Sequence, residues 1–175
     1  MPSSIEQKLN NWDGKSTDTI SSIYNQYVNS KVFIPTLVTL TKSTQLQKGA
    51  TWLLKKYCEN ALKLSDNHIV EIYQNTCSLT SWEAKLHILQ CIPYMPIKHV
   101  SVKAVEIFLR QCLSERNKFV RAWAYHGFYE LATQHPTFQQ EVKAFFEMAL
   151  RDEPASVKAR IRNILKQPEA KWLKQ

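Results

Sequence analysis

The chain has 175 residues, 44% of them hydrophobic and 22% charged, with a formal net charge of +8; that is enough to bury a core as a single domain. No stretch approaches 18 apolar residues, which excludes a membrane-spanning helix. The N-terminus, MPSSIEQKLNNW, lacks a basic head followed by an apolar run, so no secretory signal is expected. Cys58, Cys77, Cys91 and Cys112 are widely spaced with no Cys-x-x-Cys pair, the pattern of reduced, packed thiols in a cytoplasmic protein.

Three glycines and seven prolines mean few turns and long elements, which favours helices. Ser4 is expected to cap a short helix from Ile5 to about Trp12, ended by the Asp13-Gly14 turn. Asp18 is the expected cap of a second, Thr19 to Val28, with Ile20, Ile23, Tyr24 and Tyr27 on one face. Residues 1–30 thus form an N-terminal cap or degenerate repeat. Helices are then predicted over 33–42 and 44–60, and from Asn67 to about Thr76 behind an Asp66 cap. The next begins at Thr80 and Ser81 and stops near Pro93 and Pro96. Residues 99–113 follow, then 117–134, which ends before His135-Pro136. Residues 137–150 and 155–166 come last, the latter with Pro154 at its start. Residues 168–175 form a C-terminal cap in which Trp172 docks. No segment alternates as a strand would.

Two segments repeat one another. Glu115-Arg-Asn-Lys-Phe-Val120-Arg121-Ala122 and Asp152-Glu-Pro-Ala-Ser-Val157-Lys158-Ala159 each place an acid, four residues, Val, a base and Ala. Walked backwards, Val157, Val120, Trp82 and Leu46 fall at steps of 37, 38 and 36 residues. Each opens a helical apolar pattern. Such a period belongs to stacked helix pairs.

Over residues 31–167 these motifs resemble the HEAT-repeat family and its armadillo-like relatives. The resemblance implies an all-α fold, a right-handed superhelix (solenoid) of about four helix pairs with terminal capping helices. It also implies a polar ladder, an acid in each turn paired with a base six residues on: Glu115 with Arg121 and Asp152 with Lys158. Cys77 with Glu83 and Thr41 with Gln47 stand at the corresponding places without matching. The helical projection of 117–133 agrees with a ladder. Arg121 falls within the apolar arc of Val120, Ala124, Phe128 and Leu131, where a charge needs a partner.

No catalytic, metal or cofactor motif is present. The five histidines have no ligand spacing, the three glycines are isolated, and no Gly-x-Ser-x-Gly occurs. The charge is uneven: residues 1–97 carry nine Lys/Arg against seven Asp/Glu, and residues 98–175 fourteen against eight. The candidate binding surface is therefore C-terminal, comprising Lys118, Trp123, Arg160, Arg162 and Lys166. Bases there could contact phosphates, and exposed aromatics could stack or anchor a partner. The expected function is a non-catalytic scaffold binding a protein or peptide on its concave surface, with no cofactor and no membrane. The alternatives are a nucleic-acid-binding module and an alkylated-base DNA glycosylase of HEAT-like fold, a class this chain resembles in pattern, charge and tryptophan content. For the latter, Asp152 is the acid one would nominate.

Overall fold

In the computed structural model, which describes residues 4–175, the chain forms ten α-helices joined by short 3-10 turns, and no strand occurs among the described residues. Polar side chains start five of these helices by satisfying free N–H groups of the first turn. Ser4 and Gln7 close a reciprocal capping box on α1 (Ile5–Asn10). Ser16, not Asp18, caps α2 (Thr17–Tyr27); Asp13 instead accepts from the backbone N–H of Lys15 and Ser16. Gly14 turns the chain there at φ +74°, a conformation that suits glycine. Helices α3 (Phe33–Leu40) and α4 (Gln47–Glu59) follow. Ser65, one residue before the expected Asp66, caps α5 (Asp66–Asn75). Ser81 caps α6 (Trp82–Cys91), and α7 runs over Val102–Leu113. Asn117 caps α8 (Lys118–Gln134). Helix α9 is Gln139–Asp152 and α10 is Ala155–Leu165. Among the described residues no helix is long and apolar enough to cross a membrane.

The helices gather into two compact units, one ending at Met95 and one beginning at Pro96. In the first, α4 packs along α3 and α6, and α5 lies against α3. Phe33, Leu37, Leu53, Leu54, Ile72 and Leu89 fill the core. Polar bonds tie helix ends together. Asn75 Nδ2 donates to the Val38 carbonyl and to Thr41 Oγ1, both at 3.1 Å, and the Tyr73 hydroxyl donates to the Met95 carbonyl at 2.6 Å. Helix α1 closes onto α4 at Gly49. A Cβ there would stand 2.7 Å from Leu9 Cδ2 and 3.3 Å from the Trp12 ring. Overpacking of this kind costs about 2 kcal/mol, so Gly49→Val is expected to lower the urea midpoint with an unchanged slope. An unaltered midpoint would show that α1 yields freely.

In the second unit α8 packs against α7, α9 and α10. Val105, Leu109, Val120, Phe128, Val142 and Ile161 form its centre. Ile97 is stitched to the end of α8: its N–H donates to Gln134 Oε1 at 2.8 Å and its carbonyl lies 2.7 Å from His135 Nε2. Trp172 docks as expected, stacked on Tyr129 with ring centroids 6.1 Å apart and donating from Nε1 to Thr133 Oγ1 at 3.3 Å.

The spacing of the repeats shifts slightly. Helices α4, α6, α8 and α10 begin at Gln47, Trp82, Lys118 and Ala155, steps of 35, 36 and 37. Measured from these starts, the residue equivalent to Val120 and Val157 in α6 is Ala84, which is buried, whereas Trp82 is 42% exposed. Trp82 is the first residue of its helix, two residues short of the packed position.

A candidate binding face on the second helices

Arg121 pairs with an acid of the following turn, not with one in its own. Arg121 Nε and Nη2 both donate to the Glu153 carboxylate at 3.0 Å, and Nη1 donates to the carbonyl oxygens of Glu115 and Arg116 at 2.9 Å. Arg121 thus meets Glu115 through its main chain, and the acid in its ion pair is Glu153, 32 residues on. With side chains only 19% and 15% exposed, this pair is well shielded. Asp152 and Lys158 form no ion pair among the described residues. Asp152 is the exposed last residue of α9, and it is the next residue that the turn directs at Arg121.

Gln47, the uncharged residue that the sequence spacing sets against Arg121, likewise bonds to a distant turn. Its Oε1 accepts from the N–H groups of Thr80 and Ser81 at 2.7 and 3.0 Å, and its Nε2 donates to the Ser78 carbonyl at 3.1 Å. The side chain is fully buried, so a neutral amide is the cheaper group there. Beside it Lys48 Nζ pairs with Glu83 Oε1 at 3.1 Å. Against burial, which raises it, the Glu83 carboxyl is held below its usual pKa by its own backbone N–H, by Lys48 and by Ser81. His87 lies next along α6, its Nδ1 3.0 Å from the Thr51 hydroxyl. Burial, with Lys55 and Lys48 nearby, pushes its pKa down to about 4.

The contacts between α8 and α10 fix their relative direction. Arg121 meets Glu153, Trp123 meets Arg160, and Thr133 meets Trp172. Both partners advance together along the chain, so α8 and α10 run parallel. Phe128 points toward α9, edge-on to Phe145 at 5.2 Å. At about 100° per residue the opposite stripe of α8 holds Phe119, Trp123, His126 and Glu130. Phe119 is 52% exposed, Trp123 is half-buried and His126 is buried. Trp123 stacks on His126 with centroids 5.1 Å apart and planes at 15°. His126 Nε2 faces Glu130 Oε1 at 3.4 Å, while its Nδ1 is buried with no hydrogen-bond partner. The Arg160 guanidinium lies 4.0 Å from the centroid of the Trp123 ring.

Of the five predicted surface residues, then, Trp123 and Arg160 come together. Lys118 sits at the start of α8 with its Nζ 5.5 Å over the Phe119 ring. Lys166 caps the far end of α10. Parallel helices of this length separate those ends by about 16 Å, so Lys118 does not join Lys166. Arg162 and Lys166 are exposed and share the solvent face of α10, turned away from Arg160. Asp152 lies apart from the α8 stripe, on the rim of a shallow hollow of about 640 Å³ with Arg121, Tyr125 and Met148. Glu153, Gln47 and Phe119 escaped the sequence reading. Glu153 adjoins the predicted acid, and Phe119 lies within the repeat motif itself.

Among the described residues no three His, Cys, Asp or Glu side chains gather as a metal site would require. Comparison of the chain with protein-family models, curated protein sequences and solved structures gives no match.

Proposed function

We propose that the chain is a HEAT-like, right-handed α-solenoid of four helix pairs, α3–α4 through α9–α10, and serves as a non-catalytic scaffold that holds a protein or peptide against its second helices. The observation that carries this reading is the α8 stripe. Phe119 is presented to solvent one turn from the half-buried Trp123, on which Arg160 is stacked, and aromatic residues with arginine are the side chains that most often anchor protein partners. Packing supports it too: α4 lies along α6, and α8 along α10, as second helices of successive pairs do in a stack. Fold alone does not assign function, so the residues on the face decide. Nucleic acid is the second reading, favoured by Arg162 and Lys166 on one exposed face of α10.

A photo-crosslinking side chain placed at Ser156, exposed on α10 one turn before Arg160, and at Gln140, exposed on α9, tests the scaffold in cells that make the protein. The expected result is protein adducts from Ser156 and none from Gln140. Adducts removed by nuclease, or none from Ser156, would overturn it.

A further inference from the structure

We propose that the flank where α8 meets α10 docks an acidic peptide segment, one of whose carboxylates binds Arg160 while a neighbouring apolar side chain covers Phe119 and Trp123. The inference rests on the scaffold reading and names the chemistry of its partner.

Three arginines of the second unit are packed against other side chains, and two have anions. Arg110 is held by Glu106 and Glu141, which raise its pKa. Arg121 is held by Glu153. Arg160 is half-buried against Trp123 with no carboxylate among the described residues. Burial alone acts on its pKa, and lowers it. A guanidinium stacked on an indole keeps its in-plane N–H edges open, and those edges match a planar carboxylate in bidentate fashion. Its conformational freedom is already restricted, so an incoming anion has less ordering to impose.

The surroundings are short of acid. From Pro154 onward the chain has six bases, Lys158, Arg160, Arg162, Lys166, Lys171 and Lys174, against the single acidic side chain of Glu169. Among the described residues none of the six forms an ion pair, whereas Lys48, Arg110 and Arg121 elsewhere all do. Such a surface attracts an acidic chain. Nucleic acid needs several cations on one surface. Arg162 and Lys166, however, lie about 200° and 240° around α10 from Arg160, so a phosphate backbone on them does not also reach the Arg160–Trp123 stack. One carboxylate does, and the exposed Phe119 ring beside the stack suits an apolar side chain rather than a phosphate.

The full chain would be titrated, at physiological salt, into a fluorescein-labelled peptide of alternating leucine and glutamate, its glutamine counterpart, and a labelled DNA duplex. Binding is expected for the glutamate peptide. Arg160→Gln should weaken it about tenfold, and Arg160→Lys several-fold, because lysine keeps the charge and loses the planar fork. The Arg162→Gln/Lys166→Gln double variant should weaken it only about twofold through long-range attraction. Melting curves of Arg160→Gln and Arg160→Lys confirm that both fold. Equal binding of the glutamine peptide, equal losses in the Arg160 and double variants, or duplex binding alone would each overturn the proposal. If the peptide fails to bind while Ser156 still crosslinks to protein, the acidic-peptide inference falls and the scaffold stands. If both fail, both fall.

Discussion

Replacing Arg121 with alanine is expected to remove about 3 kcal/mol of stability, the low end for breaking a shielded ion pair from one side. The loss comes less from the pair's own attraction than from what is left behind. Glu153 is 15% exposed and keeps its charge without a counterion, and the carbonyl oxygens of Glu115 and Arg116 lose a donor. The Tyr125 hydroxyl, 3.4 Å from Glu153 Oε1, cannot replace a cation. Its pKa is already pushed up to about 12 by burial and the neighbouring carboxylate. Urea unfolding followed by circular dichroism gives the measurement. The companion Arg121→Met/Glu153→Leu, which removes both charges, should recover much of the loss. A single variant as stable as the wild type would mean that the carboxylate finds water in the adjoining hollow, and that the ladder is ornamental.

Acid should unfold the chain earlier than its carboxylates alone would require, because of His87. Its folded pKa of about 4 lies below the ordinary 6.5, so the fold favours the neutral ring. The unfolded chain binds the extra proton between those values. Stability is therefore undiminished above pH 6.5, falls as the pH drops toward 4, and falls no further on this account below that. The full difference is about 3 kcal/mol, of which about 2 is lost by pH 5. Unfolding curves of wild type and His87→Gln at intervals from pH 7 to 4.5 isolate it. The wild type should lose stability more steeply across that window, its stability relative to His87→Gln falling by about 2 kcal/mol between pH 7 and pH 5. Parallel profiles would show that the ring takes up its proton without leaving its place beside Thr51.

The two effects trace to side chains that differed in legibility. Arg121 stood out because a charge within an apolar helical arc demands a partner. The partner read from the spacing was Glu115, six residues back; it supplies a carbonyl oxygen, and the carboxylate of the ion pair comes from Glu153 in the following turn, 32 residues on, which only the path of the chain brings back to α8. His87 gave no local signal. Its burial follows from α4 and α6 lying side by side, with Thr51 36 residues away in sequence. Gln47 looked like a mismatch in the repeat, since an amide resembles neither an acid nor a base. Its three backbone partners lie in a turn more than thirty residues on.

What the sequence determined by itself was local. Helix formation, most of the breaks, and the buried side of each helix follow from contacts three and four residues apart and from capping side chains at the starts. The ten helices accordingly lie close to where periodicity, serines, asparagine and prolines put them. The repeat period is legible for the same reason, though it slips by a residue or two where Trp82 imitates a buried anchor. The tertiary structure decided which residues share a surface. Lys118, Trp123, Arg160, Arg162 and Lys166 look like one basic patch when read along the chain. Parallel packing of α8 and α10 sends Lys118 and Lys166 to opposite ends, and the turn of α10 carries Arg162 away from Arg160. Only the Trp123–Arg160 pair is left as a unit. Which face of a helix meets which neighbour depends on interhelical packing, and the local pattern of a single sequence does not encode it.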